Sequence, residues 1–188
     1  MARILTAILL LGCLLGGAGR AEAAMDLPTL LGTDWRQIFQ GGFDADGNPI
    51  GFYAPGENGY PRDCRATAGS CAFGECCDGR CNARGEGQPQ ADRPWHSSVY
   101  LRQSCQRPWV RKAEPRMMFP TGWPDSRIRA TVLSAYKAGR LVDGFGDLWC
   151  GCAGDTTIFG RQDEGLITDA WPSVIQACGC ESIPQKDR

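Results

Sequence analysis

The apolar positions of this chain change period several times, and each change predicts an element. Ile4 to Leu15 is a near-continuous apolar run, too short to span a bilayer comfortably. Arg3 precedes it and Ala21-Glu22-Ala23 follows, which together give the charge, apolar stretch and small-x-small site of a secretory signal peptide over residues 1–23. Leu10-Leu11-Gly12-Cys13 offers an alternative, a lipobox that would make the product a lipoprotein anchored through Cys13. From Pro28 to Phe43, Leu31, Trp35, Ile38 and Phe39 recur on one side of a short amphipathic helix. Asp44-Ala45-Asp46-Gly47-Asn48 is a turn signal, followed by the apolar run Ile50 to Tyr53. A calcium loop would need a Glu at its twelfth position, where Pro55 stands. Residues 54–94 are rich in Gly, Pro and Cys and have the character of an insertion, and strand-like runs follow at 97–103 and 109–118.

Pro124-Asp125-Ser126 opens the clearest helix, about 125–138, with Ile128, Val132 and Ala135/Tyr136 on one face and Gly139 as its stop. Asp147–Cys150, Thr156–Arg161 and Leu166–Trp171 look like strands, with Gln162-Asp163-Glu164-Gly165 as a hairpin turn. No internal repeat is visible. Strands flanking a few helices, without βαβ alternation, predict an α+β fold built on an antiparallel sheet. At 188 residues the expectation is one domain over residues 24–188, with the insertion at about 54–94. No other segment is apolar enough to cross a membrane, so the mature chain is expected to be periplasmic or extracellular.

Cysteine and histidine counts then narrow the chemistry. The chain has 11 Cys and a single His, His96. Signal removal takes Cys13 and leaves an even set, which in an exported protein favours disulfides. Cys64, Cys71, Cys76, Cys77 and Cys81, with Cys105 beyond them, resemble the pattern of a knottin. That resemblance implies the pairing 64–77, 71–81 and 76–105. Zinc binding with His96 as a fourth ligand is the alternative for this group. Cys150-x-Cys152 and Cys178-x-Cys180 are two units that can pair with each other and clamp the tail. Neither group names a substrate, and no metal or cofactor is called for.

Charge is uneven. Residues 102–140 carry nine basic side chains against Glu114 and Asp125, between two acidic flanks. Such a segment either lines a phosphate-binding groove or forms solvated faces paired with the neighbouring acids.

Three stretches, in order, resemble the bacterial EndoU nuclease family, RNA-cleaving domains often carried by secreted toxins. The first runs from Trp35-Arg36-Gln37-Ile38-Phe39-Gln40-Gly41 to Gly51-Phe52-Tyr53. It is similar to the family's His-Ile-x-x-Gly segment and its later Gly-Phe-His. The second, Met117-Met118-Phe119-Pro120-Thr121-Gly122-Trp123, resembles the family's Thr-Phe-Phe-Pro-x-x-Trp, and Ala135-Tyr136 matches the Ala-Tyr of the helix that follows. The third includes Trp149-Cys150-Gly151, Thr157-Ile158-Phe159-Gly160 and Gly165 to Pro172, and resembles the terminal hairpin ending in Ala-Phe-Pro.

The resemblance implies metal-independent cleavage in which the ribose 2′-hydroxyl attacks the adjacent phosphate and leaves a 2′,3′-cyclic phosphate. A base, an acid and a cation serve such a reaction. The family histidines fall at Gln37 and Tyr53 in this chain. An amide cannot exchange protons at neutral pH, and a phenol with a pKa of about 10 is a poor base. Lys112 matches the family lysine and Thr157, or Thr156, a hydroxyl touching the phosphate. His96 is the available replacement, giving Tyr53, His96, Lys112 and Thr157 as candidate catalytic residues. Two functions follow: an exported EndoU-type RNase with altered catalysis, whose partners would be RNA and an immunity protein, or a catalytically inert secreted disulfide-rich module that binds RNA, a glycan or a protein. A serine or cysteine hydrolase is a distant third, since no Gly-x-Ser-x-Gly elbow is present.

Overall fold

The computed structural model describes residues 27–57, 59–62, 82–103, 107–173 and 180. The expected signal segment lies outside the described residues, as do Cys13, Cys64, Cys71, Cys76, Cys77, Cys81, Cys105 and Cys178.

The chain folds as α+β with antiparallel sheets. Its first sheet is a meander of β8 (Arg140–Val142), β9 (Phe145–Ala153), β10 (Thr156–Asp163) and β11 (Leu166–Pro172), extended by β1 (Gly32–Thr33), which pairs parallel to β11. The turn between β10 and β11 needs positive φ at two successive residues, and Glu164 (φ 46°) and Gly165 (φ 91°) supply it. The Gln162 side chain closes that turn by accepting from the Gly165 amide at 2.8 Å. The three strands expected here are present and longer than the sequence marked; β1 and β8 were not expected.

Helix α2 (Asp125–Lys137) lies over β9 and β10. It buries Ile128, Val132, Ala135 and Tyr136, the face its 3.6-residue period marks out. Tyr136 meets the Trp149 indole edge-on at 5.1 Å between centroids. Gly160 lies under that indole, where a Cβ would come within 2.6 Å of two of its atoms. The short amphipathic helix expected within Pro28–Phe43 is α1 (Trp35–Gln40). Gly32–Thr33 is taken by β1, and Gly42–Phe43 forms β2, which pairs with β3 (Pro49–Ile50). The Asp44 carboxylate of the intervening turn accepts from the amides of Asp46 and Asn48 and from Asn48 Nδ2.

A second sheet is centred on β5 (Trp95–Leu101), flanked on one side by β4 (Ala83–Gly87) and on the other by β6 (Val110–Arg111) and β7 (Arg116–Met118) in tandem. The run expected at 109–118 is therefore two strands. Lys112 follows the first of them, and its amide donates to Val99 O at 2.8 Å. The ends of the expected insertion are woven into the fold: β4 belongs to this sheet, and the Arg62 guanidinium donates to carbonyls of Ala54, Pro120 and Trp123. Phe52, Trp95, Val99, Leu101 and Met118 form a second core beneath it, beside the main core of α1, α2 and the first sheet. Cys150 is bonded to Cys180, the pairing of the two C-x-C units, and Cys152 is also in a disulfide.

Candidate active site

The seam between the two sheets holds a cavity of about 470 Å³. Its construction starts at α1, where Asp34 caps the helix by accepting from the Gln37 amide at 3.0 Å. The chain then returns along α1, with the Phe52 and Tyr53 amides donating to Gln37 O and Ile38 O, both at 2.8 Å. This close approach needs Gly51, whose φ is +69° and whose added Cβ would strike Gln37 O. Phe52 also sits at φ 62°, a strained position for an aromatic residue. Its fully buried side chain and its hydrogen bond to Gln37 hold it there. The strained pair fixes two groups: Gly51 O accepts from Lys112 Nζ at 2.5 Å, and the Tyr53 hydroxyl donates to Asp169 Oδ2 at 2.9 Å.

Lys112, Tyr53 and Asp169 form one buried electrostatic unit. Lys112 is 4 % exposed, with Nζ 4.7 Å above the Tyr53 ring centroid. Burial brings its pKa down to about 7, a shift that Arg116 reinforces and Asp169 opposes. Burial also raises the Asp169 carboxyl, against the pull of Lys112, the Tyr53 hydroxyl, Gln37 and Arg116. Although Gln37 approaches this carboxyl, Asp169 Oδ1 has no hydrogen-bond partner of proper geometry among the described residues. Tyr53 is pushed well above its ordinary value, first by burial and then by Asp169, so its hydroxyl remains a donor. Trp171 stacks on the other side of Tyr53, 5.6 Å between centroids.

The outer wall is basic. Arg116 is half-buried with its Nε unpartnered among the described residues, and Arg161 is exposed and paired with Asp147. His96, on β5 opposite Met117 of β7, is exposed at the rim.

Of the residues singled out from sequence, Gln37, Tyr53, His96 and Lys112 line this one cavity. Thr157 does not; it is fully buried in β10, opposite Cys152. The hydroxyl that does line the cavity is Thr168. Arg116, Arg161, Asp169 and Trp171 also line it and were not picked out. The one available signal was Asp169, the single acid inside a mostly apolar strand. The basic segment disperses: Arg127 stacks over Trp123, Arg129 over Trp35 and Arg102 over Trp109. Only Lys112 and Arg116 of the nine reach the cavity.

Among the described residues no cluster of His, Cys, Asp and Glu is placed to hold a metal, and no helix is long and apolar enough to cross a membrane. Comparison with protein-family models, curated proteins and solved structures finds no match to this chain.

The chemical capacity of the site follows from its groups. It offers an amine balanced between its two protonation states, an imidazole, two guanidinium groups and a neutral phenol. Such a set can bind an anion, and the Lys112 amine can exchange a proton near neutrality.

Proposed function

We propose that this chain is an exported EndoU-like RNA endonuclease that forms 2′,3′-cyclic phosphate ends, with its proton-transfer groups rearranged. The observation that supports it is the convergence of Gln37, Tyr53, His96 and Lys112, drawn from separate stretches of sequence, on one cavity. Arg116 and Arg161 receive the phosphate. The neutral Lys112 amine takes the 2′-hydroxyl proton as that oxygen attacks phosphorus, and His96 gives a proton to the departing 5′ oxygen. The phosphorus–5′-oxygen bond breaks and the cyclic phosphate closes, with no water or metal consumed. Tyr53 and Gln37 shape the pocket and orient Asp169.

A second reading, an inert binding module of an exported protein, is favoured by the two substituted positions: the Gln37 amide cannot exchange protons, and the Tyr53 hydroxyl is committed to Asp169. The deciding assay follows cleavage of single-stranded RNA by the oxidised protein in EDTA, with cyclic phosphate ends identified by mass. Each acid–base group contributes on the order of 10²–10⁴-fold, so Lys112→Met and His96→Ala should each lower turnover by about that factor. RNA that stays intact, or cleavage indifferent to both substitutions, overturns the nuclease assignment.

A further inference from the structure

The outer face of the second sheet carries cations that the cavity does not use. Along β5, Trp95, Ser97, Val99 and Leu101 are buried, so His96, Ser98 and Tyr100 point the other way. Register sets an arginine on each side of Tyr100, Arg84 of β4 and Arg111 of β6. The one acid in the four strands of this sheet is Glu86, opposite Ser98.

The guanidinium groups on this face are held in set positions. Arg84 lies 4.8 Å from the ring centroids of both Tyr100 and Trp109, and Arg102 lies 4.6 Å from that of Trp109. Arg102 Nε donates to Asn82 Oδ1 at 3.1 Å. Arg111 Nη2 donates to Ser98 Oγ at 3.1 Å, which draws it along β5 in the direction of His96. Arg84 Nη2 meets Glu86 at 3.2 Å, and its Nε has no acceptor among the described residues. A guanidinium over a ring spends its flat face there, while its N–H donors lie in the plane and project past the ring edge. Three such groups gathered on one face favour a ligand that repeats its negative charge.

We propose that this face is a phosphate track for single-stranded RNA, gripping the strand where it leaves the cleavage cavity. The proposal rests on the RNA-cleaving function of that cavity. His96 lines the cavity and begins the same face of β5, so the cavity and the arginines lie along one strand. From His96 to Tyr100 that strand rises about 13 Å, and the arginines therefore meet phosphates beyond the one being cleaved. Contacts of this kind position the strand and carry no base preference. Continuity with His96 favours an RNA strand over an acidic protein segment, whose carboxylates have no need to start at the cavity.

The test uses labelled single-stranded DNA, which has the phosphates but lacks the attacking 2′-hydroxyl, bound to the oxidised protein and followed by fluorescence anisotropy over a range of salt. Arg84→Gln and Arg111→Gln should each lower the slope of log affinity against log salt by about 0.7, equivalent to about fivefold in affinity at about 0.1 M salt. Arg111 is exposed, so its replacement leaves the packing of the sheet intact. With RNA, each variant should raise the KM of a long strand about fivefold relative to that of a dinucleoside phosphate. Affinity and slope unmoved in both variants, KM rising equally for the two substrates, or displacement of the strand by polyglutamate at matched charge overturns the track. RNA cleavage with strand binding indifferent to both arginines refutes the track alone; arginine-dependent strand binding without RNA cleavage refutes the nuclease function alone.

Discussion

Lys112 gives the sharpest expectation, because its burial ties stability to pH in a definite direction. In the folded chain its pKa is about 7, against 10.5 for the free group. Between these values the unfolded chain binds a proton that the folded chain releases, so stability must rise with pH across the window. Integrated from pH 7 to 9.5, with the folded amine half-protonated at the start, the gain is about 3 kcal/mol. Above pH 10 the sign reverses through Tyr53, whose raised pKa keeps its proton in the folded state after the unfolded phenol has lost it. Asp169, raised from 3.8 by burial, contributes with the opposite sign above that value, and comparison with Lys112→Met isolates the share of the lysine. Urea denaturation without reductant, followed by tryptophan fluorescence at pH 7, 8.5 and 9.5, measures the slope. Lys112→Met keeps the side-chain volume and removes the titrating group. It should flatten the slope and be at least as stable as the wild type at pH 7, while losing RNA cleavage. A wild-type stability that is flat or falling between pH 7 and 9.5, or a slope that survives in the variant, refutes the buried-lysine account.

Tyr53→Phe keeps the stack on Trp171 but removes the donor to Asp169 Oδ2, leaving both carboxylate oxygens unpartnered; a loss of about 1–3 kcal/mol is expected by urea denaturation. Gly160→Ala drives a methyl against the Asp169 carbonyl and the Trp149 indole and is expected to cost about 1–3 kcal/mol, with a changed near-ultraviolet circular dichroism signal from the displaced ring. Cys180→Ser opens the bridge to Cys150 across a 30-residue separation; a loss of about 3 kcal/mol is expected, with no change in the substrate ends produced.

The elements that sequence predicts best are those whose burial is periodic. Helix α2 and the β10–β11 hairpin carry their own signals, a 3.6-residue stripe in one and a Glu-Gly turn in the other. Helix α1 is shorter than its apolar spacing implies because Gly32–Thr33 finds a partner in β11, more than 130 residues later. No local pattern can show that competition. The two-residue strands β1 and β6 are defined by their neighbours alone. At the site, Lys112 and Tyr53 were legible through the family resemblance, but their chemistry was not. The pKa of Lys112 is lowered by its burial and opposed by Asp169, and Asp169 acquires its place through a hydrogen bond to a residue 116 positions away. Thr157 shows the converse: it stands in the motif, yet the strand turns it into the interior.

Burial also changes what the cavity asks of each cation. A lysine at the surface stays charged and serves as a fixed counterion to phosphate. Lys112 is held under the Tyr53 ring with its ammonium partly deprotonated at neutral pH, so fixed positive charge must come from elsewhere. Guanidinium groups stay protonated throughout the working range and offer forked donors matched to phosphate oxygens. Arg116 and Arg161 line the same cavity, and Arg116 already holds an unpartnered Nε there. In the proposed nuclease, replacement of both histidines therefore shifts two duties at once: the lysine passes from charge stabilisation to proton transfer, and the arginines assume the charge it gave up.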